Sequence, residues 1–185
     1  MSAKRGHSSR RYLEDLEIGV TSISSSHRIN GRHMLAFARE YDPQYFHASP
    51  RAARTSRFGG LIASGIYTMA VWRQLDHELA GDIAWICGVA WENVRFAVAL
   101  RAGDRVHARA TCMDKRVSAS DATRGVVKIQ YELINQREQV VFSALSVNLV
   151  ECRPRLPSPQ AASRRPRLMA SRRPRRVRQA RPPRR

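Results

Sequence analysis

The spacing of apolar positions changes along the chain, and each change marks a different kind of element. Residues 21–29 are polar but β-capable, which predicts an edge or covering strand. Met34, Phe37, Ala38 and Tyr41 then recur at steps of three, one and three, which is one face of a helix. Asn30 stands where a helix cap is favoured. Pro43 marks the stop, because the residue before a proline is biased out of helical geometry. Residues 42–58 read mostly as loop, with a short helix expected around 50–54. Residues 66–79 carry Ile66, Met69, Ala70, Val71, Trp72, Leu75 and Leu79. That run is too long for an average strand and predicts a buried helix.

After Gly81-Asp82 the period becomes that of strands. Residues 83–100 read as one long strand, or two with a bend, and Gly103-Asp104 is a turn signal. Val106, Ala108, Ala110 and Cys112 alternate with Arg105, His107, Arg109 and Thr111. Val127, Ile129, Tyr131 and Leu133 alternate in the same way with Lys128, Gln130 and Glu132. Each set predicts a strand with one face toward a core. Residues 135–139 predict a hairpin connection. Val141, Leu145, Val147 and Leu149 predict a last strand, with Ser143 interrupting its apolar side. A sheet with one apolar face must cover it, and the 66–79 helix is the element apolar enough to do so. The predicted class is α+β: a long curved antiparallel sheet wrapped around one central buried helix.

Charge divides the chain further. The 185 residues include 33 Lys and Arg against 15 Asp and Glu, a formal net charge of +18. Residues 153–185 hold 13 arginines, no acid and seven of the nine prolines, and Lys4, Arg5, Arg10 and Arg11 add to the other end. Residues 12–152 are therefore almost neutral. The expected organisation is a flexible lead at 1–11, one domain at 12–152 and a disordered Arg/Pro-rich tail at 153–185. Because the positive excess lies outside the domain, it does not argue for a nucleic-acid function. The tail also lacks aromatic residues for stacking on bases, so no specific nucleic-acid partner is expected. Cys87, Cys112 and Cys152 are far apart and form no zinc-ligand spacing. No metal site is expected. Reduced cysteines, a charged N-terminus without a signal-peptide core and the lack of a bilayer-length apolar run together suggest a cytoplasmic protein.

The polar residues of the 42–65 region carry the candidate chemistry, and each allows two readings. Asp42 and His47 share one loop. They fit an Asx-turn beside a surface histidine, or a carboxylate that orients an imidazole for proton transfer. Gly65 fits close packing, or a backbone N–H facing a developing oxyanion at a helix start. Ser64 fits a helix cap or a hydrogen-bond donor into a site. Arg73 fits a pair with Asp76 or a contact to an anionic group. Trp72, Trp85 and Trp91 fit core packing or the walls of an acyl tunnel. His27, His33, His77 and His107 read as solvated.

Tyr41-Asp42-Pro43-Gln44-Tyr45-Phe46-His47, followed by Phe58-Gly59-Gly60-Leu61-Ile62-Ala63-Ser64-Gly65, resembles the MaoC-like dehydratase family, which includes R-specific enoyl-CoA hydratases. Val94-Arg95-Phe96 and Leu100-Arg101-Ala102-Gly103-Asp104 resemble later strand segments of that family. The resemblance covers roughly residues 12–152 and implies a hotdog fold. It implies that Asp42 and His47 are the catalytic pair and that the Gly65 N–H helps form an oxyanion hole. Gln44, Tyr45, Ser64 and Arg73 are implied as possible substrate-binding positions. Gln44 stands at the family's asparagine, Tyr45 at its proline, Tyr41 at its glycine and Ser64 where many members have histidine. Arg73 falls near a position where some hydratases carry a serine. The implied reaction is reversible hydration of a trans-2-enoyl thioester. Its substrate would be an acyl-CoA or acyl-carrier-protein thioester, with no separate cofactor. A homodimer with sites near the subunit interface is also implied. A hotdog thioesterase and a non-catalytic acyl-thioester-binding subunit are the alternatives.

Overall fold

A computed structural model describes residues 10–154. The expected lead and the expected tail lie outside the described residues, apart from Arg10, Arg11, Arg153 and Pro154. Three of these four are tied to the fold by ion pairs. Arg10 meets Glu151 at 3.4 Å. Arg11 grips Asp82 through Nε and Nη2 at 2.8 and 2.6 Å. Arg153 reaches both carboxylate oxygens of Asp15 at 2.5 and 2.6 Å.

A 3-10 turn at Leu13–Asp15 leads to two short strands, β1 (Thr21–Ile23) and β2 (His27–Arg28). Four helices follow: α1 (Gly31–Tyr41), α2 (Tyr45–Ala48), α3 (Pro50–Ala53) and α4 (Gly65–Ala80). The described residues end with four long strands, β3 (Trp85–Arg95), β4 (Arg105–Val117), β5 (Arg124–Asn135) and β6 (Val140–Glu151). The pairings between these strands are antiparallel, and the sheet runs β1-β4-β5-β6-β3, with β2 also on β4. The polar segment at 21–29 thus supplies short strands that shield the outer edge of β4. Among the described residues, no helix is long and apolar enough to cross a membrane.

Helix α4 has two adjacent buried stripes at steps of four: Tyr67, Val71 and Leu75, and Thr68, Trp72 and Asp76. That spacing aligns side chains on one helical face. The face packs with Val106 and Ala108 of β4, Val127 and Tyr131 of β5, and Phe142 and Ala144 of β6 in one apolar core. Trp72, with no exposed surface, sits among the rings of Trp91, Tyr131 and Phe142 at centroid distances of 5.1–5.2 Å. Ile66, on the opposite face, remains exposed. A central helix held by a long antiparallel sheet is the hotdog arrangement expected above.

Two strand details differ from the alternation pattern. On β6 the buried set is Phe142, Ala144, Ser146, Asn148 and Val150, whereas Leu145, Val147 and Leu149 lie on the other face, half-buried. A register shift explains the reversal: Leu133 pairs with Phe142 and Ile134 with Val140, so Val141 is an extra residue and faces change across it. Ser146 and Asn148 tolerate burial because their side chains hydrogen-bond each other at 3.0–3.2 Å. In residues 83–100, a single strand ends at Arg95. The following segment leaves the sheet, with the Ala97 N–H donating to the Val141 carbonyl at 3.2 Å and Leu100 accepting from the Ala63 N–H at 2.8 Å. That second contact ties the segment to the start of α4.

Candidate active site

The site begins with how α1 ends. Asn30 caps its start, with Oδ1 accepting from the N–H groups of Arg32 and His33 at 2.9 and 3.3 Å. At the far end Asp42 donates its own N–H to Ala38 at 2.9 Å, and Pro43 turns the chain away. The Asp42 side chain is thereby left beside the one-turn helix α2. Gln44 Nε2 donates to Asp42 Oδ1 at 3.0 Å, which steadies one carboxylate oxygen and leaves Oδ2 facing His47.

His47 is 6% exposed, which excludes the surface-histidine reading. Its Nδ1 lies 2.9 Å from the carbonyl oxygen of Ile62. A carbonyl only accepts, so Nδ1 carries the proton and the neutral ring keeps its lone pair on Nε2. Nε2 is 3.9 Å from Asp42 Oδ2. That gap is too wide for a direct hydrogen bond, and two acceptors so placed can share a single donor lying between them. The Ile62 carbonyl is held in register because the Ile62 N–H donates to Phe46 at 3.2 Å. The glycine-rich turn before it is braced by Arg101, whose Nη2 donates to the Phe58 carbonyl at 2.6 Å. Gly59 takes φ +63° there, a backbone region that favours glycine.

His47 lines a cavity of about 330 Å³ together with Phe46, Phe58, Gly65, Thr68 and Phe96. Gly65 is the first residue of α4, where a backbone N–H has no carbonyl one turn back to accept it. Ser64 is fully buried and caps the helix: its Oγ accepts from the Tyr67 N–H at 3.1 Å. The cavity therefore combines mostly apolar walls, one imidazole and the positive end of a 16-residue helix.

Of the sequence-derived positions, Gln44 hydrogen-bonds Asp42, Asp42 faces His47 at 3.9 Å, and Gly65 lines the same cavity as His47. Tyr45 is 54% exposed, packs edge-on against Phe46 and does not line the cavity. Arg73 lies in a different pocket, of about 340 Å³, lined also by Asp76, Trp85, Trp91, Tyr131 and Asn148. Its guanidinium donates to the Asp76 carboxylate and lies over Trp72 at 5.5 Å. Burial, and then the Asp76 charge, push the Tyr131 hydroxyl pKa well above its usual value. Trp72 is core, while Trp85 and Trp91 wall this second pocket. Sequence reasoning missed the Ile62 carbonyl, because a backbone acceptor leaves no residue signature. It also missed Phe58 and Phe96 as cavity walls: Phe58 adjoins Gly59-Gly60, which was an available signal, whereas no local pattern marks Phe96.

Residues 18–135 match the family model described as the MaoC like domain. The chain is 29% identical over 132 residues to an uncharacterized protein, YdeM, of Bacillus subtilis (strain 168), covering 70% of this chain and 92% of that protein. It is 28% identical over 114 residues to Protein MaoC of Klebsiella aerogenes, but spans only 34% of that longer protein. Among solved structures, a MaoC-like dehydratase from Rhodospirillum rubrum superposes with a TM-score of 0.72 at 36% identity, covering 78% of this chain and 99% of that one. An (R)-hydratase from A. caviae involved in PHA biosynthesis shares the fold, with a TM-score of 0.60 at 20% identity over 72% of this chain and 96% of that one. The chain belongs to the MaoC-like hydratase/dehydratase superfamily.

Proposed function

We propose that this domain reversibly adds water across the trans-2 double bond of an enoyl thioester, giving a 3-hydroxyacyl thioester. The carrier would be coenzyme A or the pantetheine of a carrier protein. The observation that carries this reading is the geometry of His47. Its Nδ1 is fixed by the Ile62 carbonyl, its Nε2 is 3.9 Å from Asp42 Oδ2, and its ring opens on a cavity shared with Gly65. One water held between Nε2 and Oδ2 would donate a proton to each. The Asp42–His47 pair takes one of those protons as the water oxygen bonds to C3. The C2–C3 π electrons move onto the thioester carbonyl, and the pair returns a proton to C2. One water is consumed and no other reactant is needed. Charge gathers on the carbonyl oxygen, where the Gly65 N–H and the start of α4 stabilise it more in the transition state than in the ground state.

Two copies related across β3 would complete the assembly. This strand is the exposed edge of the sheet and presents Ile86, Val89, Trp91 and Val94 to solvent. A long apolar edge strand with unpaired backbone groups is a template for pairing with another chain. Replacing Val89 and Trp91 together with lysine should convert a dimer to monomer in sedimentation analysis. A parent chain that sediments as a monomer refutes the assembly.

The reaction is tested by following enoyl absorbance and free thiol together, with crotonyl-CoA as substrate. Loss of absorbance without thiol is expected. Thiol release would instead support a thioesterase, and tight binding with no turnover a non-catalytic subunit. Asp42→Asn and His47→Ala should each lower turnover by about 10²–10⁴-fold, with Asp42→Asn melting close to the parent and His47→Ala lower, because it strands the buried Ile62 carbonyl. Full activity in both variants refutes the assignment.

A further inference from the structure

We propose that Phe96 shapes the substrate range of this site by excluding enoyl thioesters that carry a methyl branch at C2. The assignment rests on the hydratase reading above and concerns the same cavity. Phe96 is the first residue after β3, beyond a register shift between Glu92 and Arg95 and beyond Asn93, which takes φ +53°. These irregularities turn the chain off the sheet edge just where the ring is needed. One side of the ring is backed by the core: Phe96 packs on the fully buried Phe142 with centroids 5.5 Å apart, and Phe142 packs on Trp72 at 5.1 Å.

The far edge of the ring meets the start of α4. A Cβ built on Gly65 would lie 3.1 Å from Phe96 Cζ and 3.3 Å from both Cε atoms. The ring edge therefore occupies the space directly over the first residue of the helix. A thioester oxygen within about 2.9 Å of the Gly65 N–H brings its carbonyl carbon, and the C2 bonded to it, alongside that edge. A straight chain can pass the ring, but a methyl on C2 must overlap it or displace it from Phe142. Phe46 and Phe58 also line the cavity, yet their rings pack on each other at 5.2 Å. The Gly65 contact belongs to Phe96. The aromatic edge is the positive side of the ring quadrupole, so a ring edge beside the helix start does not oppose charge developing there.

The experiment compares kcat/KM for crotonyl-CoA, its 2-methyl analogue and straight-chain octenoyl-CoA. The full chain is assayed as the parent, Phe96→Leu and Phe96→Ala. One methyl in an apolar pocket changes discrimination by about 10–200-fold, and the parent should disfavour the 2-methyl substrate by a factor in that range. Phe96→Ala should narrow the gap by at least about tenfold, Phe96→Leu by less. The octenoyl-to-crotonyl ratio should move by less than about threefold, since the ring guards C2 rather than the chain end. An active Phe96→Ala enzyme with an unchanged 2-methyl ratio overturns the role of Phe96 alone, and Phe96→Leu supplies the same comparison if the alanine variant does not fold. A parent chain that hydrates none of the three substrates overturns the hydratase reading, and this role with it.

Discussion

Helix α4 serves two pockets of similar size, and they hold their polar groups in opposite ways. At its first turn the walls are mostly apolar and the buried group is an imidazole. One nitrogen of that imidazole is committed to a backbone carbonyl, and the other is left facing Asp42. Two turns later the walls are aromatic and the buried group is a carboxylate, 3% exposed, whose Oδ2 is committed to Arg73 on the same helix. The first arrangement leaves a proton acceptor available beside a helix start. The second spends Oδ2 on a guanidinium, which neutralises charge with charge and holds a helix face in place, while Oδ1 is buried without a hydrogen-bond partner and far from the helix start. A polar residue in a pocket is therefore weak evidence of chemistry until its charge partner and its distance from a helix start are known.

The sharpest way to break this contrast is to remove the polar groups of each pocket and compare rates. His47→Ala and Asp42→Asn should each lose about 10²–10⁴-fold in turnover. Asp76→Asn, measured well below its melting temperature, should stay within about threefold of the parent. Equal losses in both pockets would mean that the second pocket takes part in the reaction.

Next in size is the aromatic packing behind the second pocket. Trp72 contacts Trp91 and Tyr131 on one side and Phe142 on the other, with no surface exposed. Trp72→Ala should cost about 3–5 kcal/mol, because the close-packed rings around it cannot collapse fully into the space. Denaturant unfolding measures this directly. A cost under about 1 kcal/mol would show that the aromatic wall is not a packed core. Arg73→Ala should cost less, about 1–3 kcal/mol. It strands a buried carboxylate, but Arg73 is 40% exposed, so water can enter and replace part of its contact. Replacing Arg73 and Asp76 together with leucine should recover most of that loss, since no charge is then left unpaired.

How much of this was legible in the sequence follows from how each feature is encoded. Helix α4 and the inward faces of β4 and β5 were legible, because burial on one face writes a period into the residues. So was the Asn30 cap. The face of β6 was not: Leu145, Val147 and Leu149 outshine Ser146 and Asn148 in hydrophobicity, and a single extra residue at Val141 reverses the sides. The Asp42–His47 pair was visible through its resemblance to a family motif, not through spacing, since many loops carry both residue types. The Arg73–Asp76 pair was visible as an i, i+3 spacing on a helix. Phe96 was invisible as a site residue because its contact is with a backbone 31 positions earlier, and no local pattern records which ring will cover which glycine.

The smallest expected effect concerns Ser64, which sits at the boundary between capping and chemistry. Its hydroxyl oxygen accepts from the Tyr67 N–H, which is the capping role, while its O–H is still able to donate. Ser64→Ala should then cost about 1 kcal/mol, and Ser64→Gly only a few tenths, because glycine tolerates the cap geometry better than alanine. For a domain of this size 1 kcal/mol lowers the melting temperature by about 2–4 °C. Turnover should fall in the same order as stability, alanine below glycine, and by less than about threefold, through loosening of the helix start that carries Gly65. The opposite pattern, with both variants equally and strongly impaired in kcat while melting like the parent, would move Ser64 out of the helix cap and into the site. The helix start that carries Gly65 would then act through a side chain as well as through its backbone.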